Sequence, residues 1–370
     1  MKRVLITGGA GFIGSHVADV LLGANYAVRL LDNLSPQVHG GQRQRPAYLN
    51  KEAELIIGDV TEPFAVERAL RGVDTVIHLA SSVGVGQSMY DIESYVRANE
   101  LGTAVLLQAL TKRPVERLLV ASSMSIYGEG LARTLDDKAV CPDERPIDQL
   151  KHAEWELKDS QGRGLVPLPT PETKQPSLSS IYALNKYAQE RMCLITGKAY
   201  GIPTIALRFF NVFGPNQALS NPYTGVLAIF AARLLNDRPP LVFEDGLQRR
   251  DFIHVRDVAR ACLLALETDR VNDVFNVGSG QSRTIVSVAQ DLARVMGRPA
   301  LSPQLTGKYR AGDIRHCFAD IEKSRTMLGF EPRVRFDEGL DELAGYLADQ
   351  VADDQAERAT AELLRRGLVA

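Results

Sequence analysis

Gly8, Gly11 and Gly14 recur at three-residue spacing in Thr7-Gly8-Gly9-Ala10-Gly11-Phe12-Ile13-Gly14. An apolar segment precedes this run and an amphipathic one follows it. Glycine lets the backbone turn tightly and approach a pyrophosphate closely. A helix opening at Phe12, Ile13 and Gly14 offers unpaired amides and a positive dipole end to phosphate oxygens. Asp32, followed by Asn33, closes the next apolar run, and an acidic side chain there accepts hydrogen bonds from ribose hydroxyls. It also repels a 2′-phosphate, and no Arg or Lys follows before Arg43. The pattern therefore favours NAD over NADP. A second group is Tyr182 and Lys186, which share one helix face at i, i+4. A phenol, ordinarily losing its proton near pH 10, must be made more acidic to act as a base near neutrality, and a nearby ammonium favours the phenolate. A third is Ser122, Ser123 and Ser125, just past the C-terminal end of a strand, the edge at which open α/β sheets bind ligands.

The elements that must position these groups alternate. Arg3 to Thr7, Ala27 to Leu31, Glu54 to Ile57, Asp74 to Leu79, Arg117 to Ala121 and Thr204 to Phe209 read as strands. Phe12 to Leu22, Pro63 to Leu70, Tyr95 to Leu110 and Ile181 to about Tyr200 read as helices. Strand-helix alternation with near-continuous apolar strands predicts an α/β fold: a Rossmann-like doubly wound parallel sheet, buried on both faces. A smaller mixed α/β C-terminal portion follows. Residues 1–205 read as the dinucleotide-binding domain and 206–370 mainly as the substrate-binding one, with some elements returning to the first. Residues 128–179 interrupt the rhythm. They form a Pro-, Gly- and charge-rich surface insertion with one short helix expected near Gln149 to Leu157. From Asp337 onward, Leu340, Leu343, Leu347 and Val351 fall at helical spacing.

Composition narrows the class. Of 370 residues, 45% are hydrophobic and 24% charged, an ordinary globular balance. A net charge of −2 supplies no basic field for nucleic acid. Cys141, Cys193, Cys262 and Cys317 stand singly, so neither a CxxC metal site nor a disulfide framework is expected, and a reducing cytoplasm fits. The apolar start at Val4 to Ile6 is too short for a secretory core, and no run is long enough for a membrane span.

Taken together, Gly8/Gly11/Gly14, Asp32, Gly58-Asp59-Val60, His78-Leu79-Ala80, Asn99, Ser123, Tyr182 and Lys186 resemble the extended short-chain dehydrogenases of the NAD-dependent nucleotide-sugar epimerase/dehydratase family. The resemblance continues through Arg208 to Pro215, Arg250 to Val255, Asn276-Val277-Gly278 and Arg310-Ala311-Gly312-Asp313. It implies that the glycine run, Phe12, Ile13, Asp32 and Asn33 hold NAD. Asp59 and Val60 would meet adenine, and Leu79, Ala80 and Asn99 would lie on the nicotinamide side. Tyr182 and Lys186 would also hold the cofactor, Lys186 at the nicotinamide ribose. Ser123, four residues before Tyr127, matches the catalytic serine and joins Tyr182 and Lys186 as the catalytic set. Asn211 and Arg250 would meet the substrate diphosphate, and Arg310 with Asp313 the nucleotide end. Ser81, Ser82, Gln87, Ser125, Gly225 and Val226 complete the expected substrate contacts. His78 and His254 read as buried structural histidines.

The dehydratases of this family carry Asp-Glu where this chain has Met124-Ser125, so elimination of water is disfavoured. Oxidation and re-reduction at the sugar 4-position, an epimerisation, remains. The galactose-specific epimerases carry a Lys where Val83 stands, which puts that sugar in doubt. The insertion, including His152 to Leu157 and Pro169 to Lys174, is similar to that of bacterial dTDP-L-rhamnose 4-epimerase-type proteins, which points to a dTDP- or UDP-hexose such as a 6-deoxysugar. Some of those relatives carry a Cys-x-x-Cys in the insertion. Cys141 stands alone, so no metal is expected. The alternatives are a UDP-glucuronate epimerase or decarboxylase, a 4-ketosugar reductase, and, in a different class, a non-catalytic dinucleotide sensor. The family resemblance also implies a homodimer through the helices at Tyr95 to Leu110 and Ile181 to Tyr200.

Overall fold

Val4, Leu5 and Ile6 are fully buried, and so are Val76 and Leu118 in neighbouring strands. Only a sheet covered on both faces buries consecutive residues in this way. A computed structural model describes residues 1–41, 43–310 and 312–370. Its central sheet has seven parallel strands: β1 (Arg3–Thr7), β2 (Ala27–Asp32), β3 (Glu54–Ile57), β4 (Thr75–His78), β5 (Arg117–Ser123), β6 (Thr204–Phe209) and β7 (Asp273–Val277). The spatial order is β7-β6-β5-β4-β1-β2-β3. Strand order reverses at β1, between β4 and β2, and opens a crevice beyond the C-terminal ends of β1 and β4. Thr7 of β1 registers with His78 of β4, and Ser123 of β5 with Phe209 of β6. Every expected strand of the first half is present, with ends shifted by at most two residues.

Helix α1 (Phe12–Gly23) follows β1, and α2 (Gly102–Lys112) precedes β5. Helix α3 (Ile181–Tyr200) is capped by Ser180, whose hydroxyl accepts from the Ala183 amide, and it ends at left-handed Gly201. Helix α4 (Val255–Glu267) packs against α1 although it comes from the C-terminal half. Together with β7 it returns that half to the first layer.

The continuous helix expected from Tyr95 to Leu110 is divided. A single turn, Ile92–Tyr95, leads into a π-helical stretch, Val96–Leu101, and only then into α2. Within this stretch Asn99 is fully buried, and just after it a Cβ on Gly102 would stand 2.5 Å from Val60 Cγ1. The helix expected near Gln149 to Leu157 forms only over Ile147–Lys151 and stops before Ala153, whose φ is +55°. The rest of the insertion is built into a three-stranded antiparallel sheet, Ala132–Arg133, Ala139–Val140 and Val166–Pro167, over buried Leu157 and Leu165.

The C-terminal portion holds a second core of Phe213, Phe230, Phe252, Leu292 and Phe336. Strand Arg249–His254 is its centre, flanked by Asn211–Phe213, His316–Cys317 and Ser282–Thr284. Leu340, Leu343 and Leu347 lie buried on helix Phe336–Leu347. Val351 does not share their face. The helix has ended, Val351 is almost wholly exposed, and Ala352 turns inward in its place. A further helix, Ala356–Arg365, follows. Among the described residues, no helix is long and apolar enough to cross a membrane.

Candidate active site

The glycine run sits in the crevice and is demanded by it. Gly8 has φ +67°, and a Cβ there would meet Ala80 Cα and N at 2.8 Å. A Cβ on Gly14 would stand 2.5 Å from the Gly8 carbonyl oxygen. Gly11 caps α1 with no side-chain acceptor, which leaves the amides of the first turn free. A bare backbone cradle at a helix N-terminus is the shape a pyrophosphate needs. Asp32 lies beside it: Oδ2 accepts from the Ala10 amide at 3.0 Å and Oδ1 from Leu34 at 2.9 Å. Each oxygen keeps a lone pair for a sugar hydroxyl. Two residues unforeseen in the sequence close this end. Tyr48 donates its hydroxyl to the Ala10 carbonyl at 2.6 Å, and His39 stands 3.8 Å from Asp32. Nothing in their local pattern marks them, because the loop after β2 brings them back over the glycines.

Asn33 donates to Asp59 Oδ2 at 2.9 Å, and Thr61 donates its amide and hydroxyl to Oδ1 at 2.8 Å. Burial alone would raise the Asp59 carboxyl, but these donors hold it below its ordinary value. Val60 is buried next to Gly102. Together these form a shallow wall on the far side of Asp32.

The catalytic candidates gather at the edge of β5. Ser122 points away, donating to Glu190 at 2.7 Å. Ser123 points toward the crevice and accepts from the Ser125 amide at 3.1 Å. Tyr182 opens α3, its amide donating to Ser88 Oγ at 3.0 Å. Burial pushes the Tyr182 phenol up, partly offset by the nearby Ser123 hydroxyl. Lys186 is buried, donates to Gln189 Oε1 at 2.9 Å, and burial lowers it to about 8.

Behind them, Gln189 donates to Thr103 Oγ1 at 3.0 Å and to the Ala80 carbonyl at 3.3 Å. Gln189 lies one helical turn beyond Lys186, and that spacing was its available signal. His78 is clasped between Thr7 and Thr103 at 2.7 and 2.8 Å, and burial, then the Lys186 charge, lowers it to about 3. His78 is thus a neutral bridge from strand β1 to helix α2. Asn99 accepts from the Ser82 amide at 2.7 Å and donates to its carbonyl at 3.1 Å, holding the sugar-facing loop. Glu190 receives a two-pronged pair from Arg208 at 2.8 and 2.9 Å, and Arg208 reaches Tyr127, which donates to Asn276 at 2.7 Å. This buried chain links β5, α3, β6 and β7.

On the substrate side, Asn211 follows β6 with its Oδ1 buried and unpartnered. Arg250 donates to the Arg315 carbonyl at 3.0 Å and to that of Ile314, and stands 3.7 Å from Asp313. Arg310 is also 3.7 Å from Asp313, with its Nε buried and free, and a Cβ on Gly86 would lie 3.7 Å from its Cζ. Arg250, Arg310 and Asp313 are therefore one cluster facing the loop Ser81 to Ser88. Ala311 of the same motif lies outside the described residues.

Gly225 caps helix Val226–Leu235 without a side-chain acceptor. Other expected contacts are already engaged. Gln87 Oε1 accepts from Gln37 at 2.9 Å and Tyr95 at 3.3 Å, Ser81 donates to the Ser82 carbonyl at 3.1 Å, and Ser125 leans on the Met124 sulfur at 3.9 Å. Val83 is exposed at the loop tip. His254 is buried, its Nδ1 accepting from the Arg256 amide at 3.3 Å while its Nε2 has no hydrogen-bond partner, and burial lowers it to about 4. Among the described residues, no group of three His, Cys, Asp or Glu side chains is placed to hold a metal.

A sequence profile of the NAD dependent epimerase/dehydratase family matches residues 4–153 and 163–278, skipping a stretch inside the insertion. The chain is 36% identical over 357 residues to a dTDP-L-rhamnose 4-epimerase of Burkholderia thailandensis, covering 95% of this chain and 96% of the relative. Among solved structures, the UDP-N-acetylglucosamine 4-epimerase of Methanobrevibacter ruminantium in complex with UDP-N-acetylmuramic acid superposes with a TM-score of 0.77 at 29% identity, over 95% of this chain and 99% of that one. The UDP-glucose 4-epimerase of Thermus thermophilus in complex with NAD superposes with a TM-score of 0.75 at 31% identity, over 94% and 100%.

Proposed function

The chain belongs to the NAD dependent epimerase/dehydratase family, and from that premise we propose that it is a nucleotide-sugar 4-epimerase acting on a dTDP- or UDP-hexose, dTDP-L-rhamnose being the first candidate. The observation that carries this reading is the packing of Ser123, at the end of β5, against the start of α3 where Tyr182 stands, with Met124 and Ser125 following Ser123. Neither of those two can act as the acid/base pair that elimination of water requires.

The reaction removes a proton from the 4-hydroxyl and a hydride from C4, leaving a ketone, and then returns the hydride to the opposite face of C4 and the proton to the oxygen. NAD, when bound, supplies the acceptor and donor of that hydride. The Gly8–Gly14 cradle, Asp32, Asn33, Asp59 and Val60 hold the cofactor's phosphates and adenosine, with Leu79, Ala80 and Lys186 at the nicotinamide end. Tyr182 Oη takes the hydroxyl proton and later gives it back. Ser123 Oγ bonds the same sugar oxygen and keeps it in line. Asn211, Arg250 and Arg310 grip the diphosphate while the keto sugar turns over. A guanidinium suits this task because it offers a rigid fork to phosphate oxygens. The free Asn211 Oδ1 and Arg310 Nε are polar atoms whose partners a ligand would supply.

The enzyme works in the cytoplasm in this reading, where its free thiols stay reduced. It pairs as a homodimer through the outer faces of the Ile92 to Lys112 segment and α3, where Ile92, Val96, Leu101, Leu184 and Ile195 are exposed.

The test is incubation of purified protein with a panel of dTDP- and UDP-sugars, with products read by NMR. A 4-epimer formed without added reductant supports the reading. Stoichiometric consumption of NADH or NADPH, or loss of carbon dioxide, replaces it with a reductase or decarboxylase. Tyr182→Phe is expected to lower turnover by at least 10³-fold, roughly the upper range of general acid-base catalysis, while NAD stays bound. Near-normal turnover in that variant removes Tyr182 from the mechanism.

A further inference from the structure

The insertion at 128–179 is fastened to the nucleotide end of the site by charged side chains that are withdrawn from solvent. Arg145, whose side chain is 2% exposed, donates to the Trp155 carbonyl at 3.1 Å, to Glu244 at 2.9 Å and to the Asp313 carbonyl at 3.1 Å. Arg315 is fully buried. It donates to Glu244 at 2.8 Å, to Asp245 at 2.7 and 2.9 Å, and to Glu156 at 2.5 Å. The other oxygen of Glu156 accepts from His316 Nε2 at 2.9 Å, while His316 Nδ1 accepts from the Arg249 amide at 3.2 Å. Glu129, at the root of the insertion, accepts from the Arg315 amide at 2.8 Å and the His316 amide at 3.1 Å. The Trp155 ring lies 6.2 Å from that of Tyr309, the residue before Arg310.

These contacts converge on Tyr309, Asp313, Arg315 and His316. That short segment carries Arg310 and Asp313, and its Ile314 and Arg315 carbonyls hold the Arg250 guanidinium. Docking an insertion by apolar packing would stabilise it at least as well, because buried ion pairs lose much of their attraction to desolvation. Hydrogen-bonded charges add direction: each one fixes a backbone carbonyl or amide in a single position.

We propose that the insertion is the positioning element for the nucleotide end of the substrate, with Arg145, Trp155 and Glu156 setting Tyr309, Asp313, Arg315 and His316 so that Arg250 and Arg310 meet the diphosphate. This rests on the nucleotide-sugar reading above. None of the three residues touches substrate. They act through the segment they hold, so removing them alters nucleotide affinity and leaves the proton and hydride steps at Tyr182 intact.

The experiment uses the NAD-loaded enzyme and the variants Arg145→Met, Arg145→Lys and Glu156→Gln, with dTDP and UDP alone as binding probes. Trp155 is the single tryptophan of the chain, so its emission reports on this joint. In the wild type, saturating dTDP or UDP is expected to shift Trp155 emission. R145M is expected to raise KM and the nucleotide Kd by about 10- to 100-fold, as loss of hydrogen bonds to a charged group does, with kcat within about 2-fold. R145K is expected to recover part of the loss, and E156Q, a half-exposed site with little folding risk, to give about a 5-fold rise. Unchanged KM and Kd in R145M and E156Q overturns the inference. So does a joint fall of kcat, NAD content and Tm, which is the mark of a general stabilising role. A wild-type protein that binds neither nucleotide overturns the underlying functional reading and this inference with it.

Discussion

Lys186 shows what a single buried cation costs and does. Burial brings its ammonium from an ordinary 10.5 to about 8. The folded state thus binds fewer protons than the unfolded chain between pH 8 and 10.5, and stability contributed at this group rises with pH across that window. Below pH 8 the charge is present and its cost is full. By linkage the cost is about 3 kcal/mol at neutrality. Lys186→Met removes the charge while leaving Gln189 Oε1 without its donor, a loss of about 1–3 kcal/mol. The expected outcome is an NAD-free variant that is inactive and whose stability relative to wild type improves by about 3 kcal/mol as pH falls from 10.5 to 7. Urea unfolding at several pH values measures it, and a difference that stays flat with pH contradicts the burial argument. Ser123 illustrates a different residue-scale effect, in which one hydroxyl opposes the burial of the Tyr182 phenol.

The π-helical stretch Val96–Leu101 belongs to the element scale. The extra residue in its turns lets Asn99 face inward and reach both the amide and the carbonyl of Ser82. Such widened turns occur often at functional sites. Asn99→Ala would leave two backbone groups of the sugar-facing loop unsatisfied, at about 1–3 kcal/mol each when buried. We expect a lower Tm and a raised substrate KM with NAD binding retained. An unchanged KM would show that the loop keeps its place without Asn99. The sequence made a helix here legible through its apolar spacing, but not the change of pitch. That change accompanies Val60 packing on Gly102, a contact between residues far apart in the chain. The insertion's helix was misplaced for a related reason. Positive φ at Ala153 ends it early, and no local residue type announces that conformation.

At the scale of the whole molecule, two halves of the chain share one sheet. Strand β7 and helix α4 come from the C-terminal half yet complete the first layer: Tyr127, Arg208, Glu190 and Asn276 lock β7 there through buried hydrogen bonds, and α4 packs on α1. The outer face of α3 carries exposed Leu184 and Ile195 beside exposed Ile92, Val96 and Leu101. A single charge placed in such an apolar interface is typically enough to separate the subunits. Leu184→Glu with Ile195→Glu should convert a dimer to a monomer, read by light scattering on a sizing column, with NAD still bound. A double variant with the mass of the wild-type dimer would place the interface elsewhere, and a monomeric wild type would remove the dimer.

Much of the site was legible because its chemistry is written in local spacing. Glycines three apart need a tight turn before a helix, and Tyr182 with Lys186 needs only a helical pitch to share a face. Those constraints act within a few residues, so the chain alone determined the glycine turn, the helix face shared by Tyr182 and Lys186, and the strand alternation. Tertiary structure decided what depends on distant partners: that His39 and Tyr48 close over the glycine loop, that Asn99 holds Ser82, and that Glu129, Arg145 and Glu156 reach Asp313, Arg315 and His316. Charges and hydroxyls carry no mark of their partners along a sequence. Only packing brings them within the roughly 3 Å at which a hydrogen bond forms.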